Sequence, residues 1–149
     1  MLAIHEYKEL RLDCFGTFFH GEELLANKKI AKLFHEGLCR SEDGKVMIKL
    51  GRSKEIVKSD SGFFIFVVSI EDKKDGVFLL CKNGRKLSAS DCEFYAHDDG
   101  SFSGYLKSEN EGFAFSREGI SELSPYITEN NGAFFLAWRN IPHSKLEMK

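Results

Sequence analysis

The sequence predicts an α+β fold, a mainly antiparallel curved sheet or partial barrel with two helices, built from two similar hairpin-helix-strand units. Three observations lead there. Short apolar runs recur between clusters of Gly, Asn, Asp and Ser, the punctuation of brief strands joined by tight turns. Two stretches only carry the spacing of an amphipathic helix. The chain also echoes itself: Asp13-Cys14-Phe15-Gly16-Thr17-Phe18-Phe19-His20-Gly21 returns in outline as Asp98-Asp99-Gly100-Ser101-Phe102-Ser103-Gly104. Each copy leads to an Ile-x-x-Leu pair, Ile30/Leu33 and Ile120/Leu123, and closes on a glycine and an apolar run, Gly44 with Val46-Met47-Ile48 and Gly132 with Ala133-Phe134-Phe135-Leu136. Such self-similarity suggests one supersecondary unit used twice to complete a shared core. The chain is therefore expected to be a single domain over residues 1–149, with repeat-like units at about 10–50 and 94–138.

Residues 10–19 predict two short strands around a turn at Phe15-Gly16, where glycine turns the backbone at least steric cost. Asn27 then precedes Ile30, Leu33, Phe34 and Leu38 at i, i+3, i+4 and i+8, with Lys28, Lys29, Lys32 and Glu36 on the other face, which predicts a capped helix. Ser41-Glu42-Asp43-Gly44 ends it, and strands are expected at 46–50 and 54–58, followed by a turn at Ser59-Asp60-Ser61-Gly62. Residues 63–70 carry aromatic and β-branched side chains on both faces. Only a strand covered on both sides tolerates this, so the central strand is placed here, with Phe64, Phe66 and Val68 or the alternate Phe63, Ile65 and Val67 buried. Residues 71–76 connect it to a strand at 77–81, and Asn83-Gly84 turns the chain again. Short strands follow at 93–96, 102–107 and 112–115. Ser116 caps a second helix that Pro125, lacking an N–H, should stop near Leu123. Residues 132–138 form the last buried strand, and the tail after Pro142 is expected to be polar and frayed.

Composition excludes more than it selects. With 30% charged residues and a net charge of −2, no long-range field favours nucleic acid or an acidic membrane. No apolar run approaches the length that crosses a bilayer, and Met1-Leu2-Ala3-Ile4-His5-Glu6 has no basic-then-apolar pattern, so a cytoplasmic protein is expected. In that compartment Cys14, Cys39, Cys81 and Cys92 are free thiols. Pairs such as Cys14/His20, His35/Cys39 (i, i+4) and Cys92/His97 have ligand chemistry but lack the knuckle of a structural zinc site, so neither metal nor cofactor is expected. There is no Gly-x-Ser-x-Gly elbow and no phosphate-binding glycine loop.

What remains is a module that binds a small molecule or a protein. Its site is expected where the first helix meets the sheet, near His20, His35 and Trp138, because Trp couples a large apolar face to one donor. The alternative is a small hydrolytic or metal-dependent enzyme using His97, Asp98 and Asp99 or a Cys/His site. Lys82, Arg85 and Lys86 beside the Asn-Gly turn, with Lys73 and Lys74 nearby, are taken as a solvated charge cluster.

The stretch 10–70 resembles an uncharacterised bacterial family, domain-of-unknown-function family 1285. The resemblance rests on Gly21-Glu22-Glu23, on Ile30-Ala31-Lys32-Leu33-Phe34-His35-Glu36-Gly37-Leu38, on Arg40-Ser41-Glu42-Asp43-Gly44, and on Glu55-Ile56-Val57 leading to Asp60 and Phe63. It covers the N-terminal two-fifths, and the family's acidic-Ala-Pro-Phe corner is here Asp60-Ser61-Gly62-Phe63. The resemblance implies an α+β fold of repeated small β-rich motifs and a regulatory or signalling role in bacteria, and it brings no catalytic residues.

Overall fold

Four five-residue segments, 13–17, 41–45, 81–85 and 97–101, close on the same pair of backbone bonds. In each, the first N–H donates to the fifth carbonyl and the fourth N–H donates back to the first carbonyl. The fourth residue is Gly16, Gly44, Gly84 or Gly100, with φ between 83° and 86°. That is a β-turn followed by a left-handed residue, a hairpin closure that favours glycine. These turns order the molecule, described over residues 9–139 and 143–149 by a computed structural model.

The first half runs β1 (Leu10–Leu12), β2 (Phe18–His20), β3 (Glu23–Leu24), α1 (Lys28–Gly37), β4 (Leu38–Arg40), β5 (Val46–Leu50), β6 (Ser53–Ile56) and β7 (Lys58–Ser59). Its strands lie in the orders β3-β2-β1-β7 and β4-β5-β6, and Val57 alone separates β6 from β7. The second half adds β8 (Phe66–Lys73), β9 (Gly76–Cys81), β10 (Lys86–Ser88), β11 (Cys92–Ala96), β12 (Phe102–Leu106), β13 (Glu111–Phe115), α2 (Arg117–Leu123), β14 (Ile127–Asn130), β15 (Ala133–Leu136) and β16 (Ser144–Met148). They form one sheet, β10-β9-β8-β13-β12-β11-β16-β15-β14. Its last six strands follow the path of the first half, with β11 parallel to β16 as β1 is parallel to β7. The architecture is α+β and mainly antiparallel, the curved sheet ending open at β10 and β14.

Two cores lie on either side of β8 and its parallel neighbour β13. Ile65, Val67, Phe113 and Phe115 enter the larger core, while Phe66 and Ala114 enter the smaller one with Leu12, Phe18, Phe34 and Ile48. This explains why apolar side chains occupy both faces of 63–70, and it corrects two details. The strand begins at Phe66 and runs to Lys73, and neither alternate set is buried: the consecutive Ile65, Phe66 and Val67 are, because each face has its own core and a bulge after Val67 breaks the alternation.

Asn27 caps α1 through its side chain, which accepts from the N–H groups of Lys29 and Ile30. The helix ends at Gly37, so Leu38 is a buried strand residue, and Leu33 lies 40% exposed while Phe34 and His35 point inward. Ser116 caps α2, accepting from Gly119 N–H while its hydroxyl donates to the Val67 carbonyl. Gly119 itself is required by proximity, since a Cβ there would stand 2.1 Å from the Val67 oxygen. α2 stops at Leu123, as the position of Pro125 predicts. The C-terminal tail is not frayed: Ser144–Met148 is inserted between β11 and β15, with Leu146 buried, because ladder bonds on both sides hold a segment whose own hydropathy is weak. Pro142 and Met1–Glu6 lie outside the described residues. Among the described residues no helix is long and apolar enough to cross a membrane.

Phe66→Ala should lower the free energy of unfolding by about 3–5 kcal/mol, whereas Leu33→Ala should change it by about 0.5 kcal/mol or less. Urea denaturation of both variants measures the contrast; equal losses would contradict the burial described.

Candidate functional site

Gly16 brings three elements together. A Cβ on it would lie 2.6 Å from the Phe66 ring, so only glycine lets the 13–17 turn rest on β8. The Gly16 carbonyl, thus placed, accepts from His35 Nε2 in α1 at 2.9 Å and from Lys82 Nζ, just past β9, at 3.0 Å. Lys82 is itself anchored, its backbone N–H donating to the Phe66 carbonyl at 2.8 Å. Beside this junction opens a cleft of about 240 Å³. One wall is the side of α1 carrying Lys28, Ala31, Lys32 and His35, at i, i+3, i+4 and i+7. Gly16, Thr17, Phe18 and Leu25 form the other, with Lys82 between them.

A carbonyl oxygen can only accept, so His35 donates from Nε2 and its neutral ring leaves Nδ1 as an acceptor. Nδ1 is buried, and no described residue bonds it. Protonation would therefore place a second N–H where nothing receives it, close to the Lys82 ammonium. Burial first, and Lys82 second, push the His35 pKa down to about 4, against the opposing pull of the Gly16 carbonyl. His35 is neutral at pH 7 and holds the turn; it is not poised as a proton shuttle. Burial also lowers the pKa of half-buried Lys82, opposed by the more distant Glu118 and Asp13. Lys82 has three N–H donors, and Gly16 is its one acceptor among the described residues. Neither it nor Lys28 nor Lys32 forms an ion pair with a described residue.

Of the three residues singled out by sequence, the structure brings His35 alone to the cleft. His20 ends β2 and lies 4.0 Å from the Glu23 carboxylate, outside the lining. Trp138 belongs to the larger core, 2% exposed, its Nε1 donating to Ser144 Oγ and its ring 5.1 Å from Tyr126 and 6.0 Å from Phe94. Its large face fills a core, on the opposite side of β8 from His35.

The other candidates are occupied by turns and packing. His97 Nε2 bonds Ser103 Oγ at 2.7 Å, and the Asp99 carboxylate accepts from the N–H and hydroxyl of Ser101 to hold the 97–101 turn. His35 and Cys39 do not share a helix face, because α1 ends at Gly37 and Cys39 belongs to β4. Burial pushes the Cys81 and Cys92 thiols up to about 12, so both stay protonated and poorly nucleophilic. No group of three His, Cys, Asp or Glu among the described residues could hold a metal.

The residues that sequence reasoning missed are Lys82, Lys28, Lys32 and Thr17. A signal existed for two of them, since Lys28 and Lys32 stand seven and three residues before His35, on its side of the helix. Lys82 gave none: beside an Asn-Gly turn it is indistinguishable from its solvated neighbours Arg85 and Lys86, which pair with Glu109 and Glu71.

Two solved structures share this fold. A DUF1285 family protein from Silicibacter pomeroyi DSS-3 superposes with a TM-score of 0.65 at 18% identity, over 98% of this chain and 87% of that one. A DUF1285 family protein from Shewanella baltica OS155 gives 0.51 at 17% identity, over 75% and 87%. The likeness is one of fold. It runs through both halves, so the N-terminal two-fifths marked by sequence was too narrow. No protein-family model and no curated protein matches the chain.

Because the folded pKa of His35, about 4, lies below its unfolded value of 6.5, the unfolded state binds more protons between those two pH values. The native state should be at full strength above pH 6.5 and lose about 3 kcal/mol as pH falls to 4. Urea denaturation across this window measures the slope, which His35→Gln should remove; an NMR titration midpoint near 6.5 for His35 would contradict its burial.

Proposed function

We propose that this chain, which has the fold of the DUF1285 proteins, is a non-enzymatic binding module with a regulatory role in bacterial signalling, and that the cleft beside α1 is its ligand site. The supporting observation is the convergence at one small cavity of a half-buried ammonium with a single acceptor among the described residues, a neutral buried imidazole and the apolar side chains of Phe18, Leu25 and Ala31. The groups around it are arranged to hold something. None of them is arranged as an activated nucleophile with a base. The module acts as one domain over residues 1–149 in the cytoplasm, its partner a small molecule or a protein rather than nucleic acid or membrane, and it needs no cofactor.

Ala31 lies in the wall of the cleft, half-buried at the edge of the smaller core, so a larger side chain there fills the cavity. In a thermal-shift screen of small metabolites, a ligand present at one hundred times its dissociation constant should stabilise the protein by about 2.7 kcal/mol. For a chain of this size that is a rise of roughly 5–10 °C. Ala31→Trp, read against its own unliganded melting temperature, should abolish the rise. A rise that survives Ala31→Trp would place the site elsewhere.

A further inference from the structure

The donors around the cleft point to the charge and shape of what fills it. We propose that the α1 cleft takes a small amphipathic organic anion, its head held by Lys82, Lys28 and Lys32 and its apolar body laid against Phe18, Leu25 and Ala31. This rests on the cleft being the ligand site.

Three observations carry it. The lining includes three lysines from two separate elements and no Asp or Glu. None of the three has an anionic partner within ion-pair distance among the described residues, the carboxylates of Glu118 and Asp13 acting on Lys82 only from beyond that distance. Lys82, the deepest of them, is held in place through both its backbone and its side chain, yet two of its three N–H donors have no acceptor among the described residues. A half-buried ammonium left so is costly, and an anion supplies the missing acceptors by charge-assisted bonds. Thr17 also lines the cleft and is the one hydroxyl-bearing residue among its lining. His35 contributes no charge, which leaves the lysines to carry the attraction.

The apolar part of the lining limits the anion further. Phe18, Leu25 and Ala31 line the cleft beside the lysines, so a fully hydrated ion such as inorganic phosphate would leave these apolar contacts unmade. At about 240 Å³ the cleft is smaller than the ~300–1,000 Å³ that hold drug-sized ligands. A short alkyl or aryl phosphate or carboxylate matches both features.

The test uses the full chain and four probes: hexyl phosphate, hexanoate, hexanol and vesicles containing phosphatidic acid. Calorimetry and thermal shift should show binding of the two free anions and not of hexanol, weakening as salt is raised. Lys82→Met should reduce anion affinity about tenfold or more, and Lys82→Arg should retain most of it. Lys28→Gln and Lys32→Gln should each reduce it about two- to fivefold. Should Lys82→Met unfold the protein, the two exposed lysines still decide the matter. Hexanol binding as tightly as the anions, with the effect lost in Ala31→Trp, would overturn the anionic ligand and leave the cleft as a site. Anion binding indifferent to Ala31→Trp and to all three lysines would overturn both. Binding to vesicles without binding of the free anions would identify a membrane headgroup and overturn the small-molecule proposal.

Discussion

The contact of Gly16 with the Phe66 ring is the constraint on which the rest of the smaller core depends. Phe66 needs a surface to pack against, and the 13–17 turn reaches it only because residue 16 has no side chain. With the turn seated, its outward carbonyl becomes a fixed acceptor that His35 and Lys82 approach from two directions. The His35 ring in turn packs 4.7 Å from Phe18 and 6.1 Å from Phe66, so one hydrogen bond and three rings lock α1, β2 and β8 together. Backbone bonding completes the loop, since Phe66 accepts from the same Lys82 whose side chain reaches Gly16.

The two cores are joined by more than this junction. Arg40 on β4 meets Glu111 on β13 in a two-pronged ion pair, 3.1 Å and 2.8 Å, and also donates to the carbonyls of Gly44 and Gly62. A fork geometry with further acceptors contributes more than an isolated surface pair, because the guanidinium is held before the carboxylate arrives. On another side the Arg117 guanidinium at the start of α2 lies 4.0 Å from the centre of the Phe15 ring, tying the first turn to the second helix. Phe64 packs against both cores. Apolar contact fills the middle of the junction, and directional polar contacts at its rim set the relative placement of the halves.

The proposed ligand site inherits this geometry. Lys28 and Lys32 ride on α1, which packs with Phe34 into the smaller core, whereas Lys82 follows β9, whose Val77, Leu79 and Cys81 belong to the larger one. An anion held by all three would bridge elements rooted in different cores. It would do so at the point where the turn, the helix and β8 already meet, so occupancy and the stability of the junction are coupled by construction.

Much of the scaffold was determined by the sequence itself. The glycine turns, the Asn27 and Ser116 caps, the stop at Pro125 and the apolar run around Phe66 are local features, decided by φ, by side-chain acceptors and by a missing N–H, and they form where the residues say. The helix end at Gly37, the exposure of Leu33 and the strand at Ser144–Met148 were decided by pairing and packing with distant segments, which no local pattern reports. The site divides the same way. His35 stood out as a histidine on an amphipathic helix, but Trp138 had the same chemical promise and went to the other core. Lys82 became a cleft residue only because β8 carries the following hairpin back over Gly16. Residue types and spacings determine which turns and helices can form; tertiary structure alone decides which charges meet, because long-range packing sets the distance between groups that lie 66 residues apart.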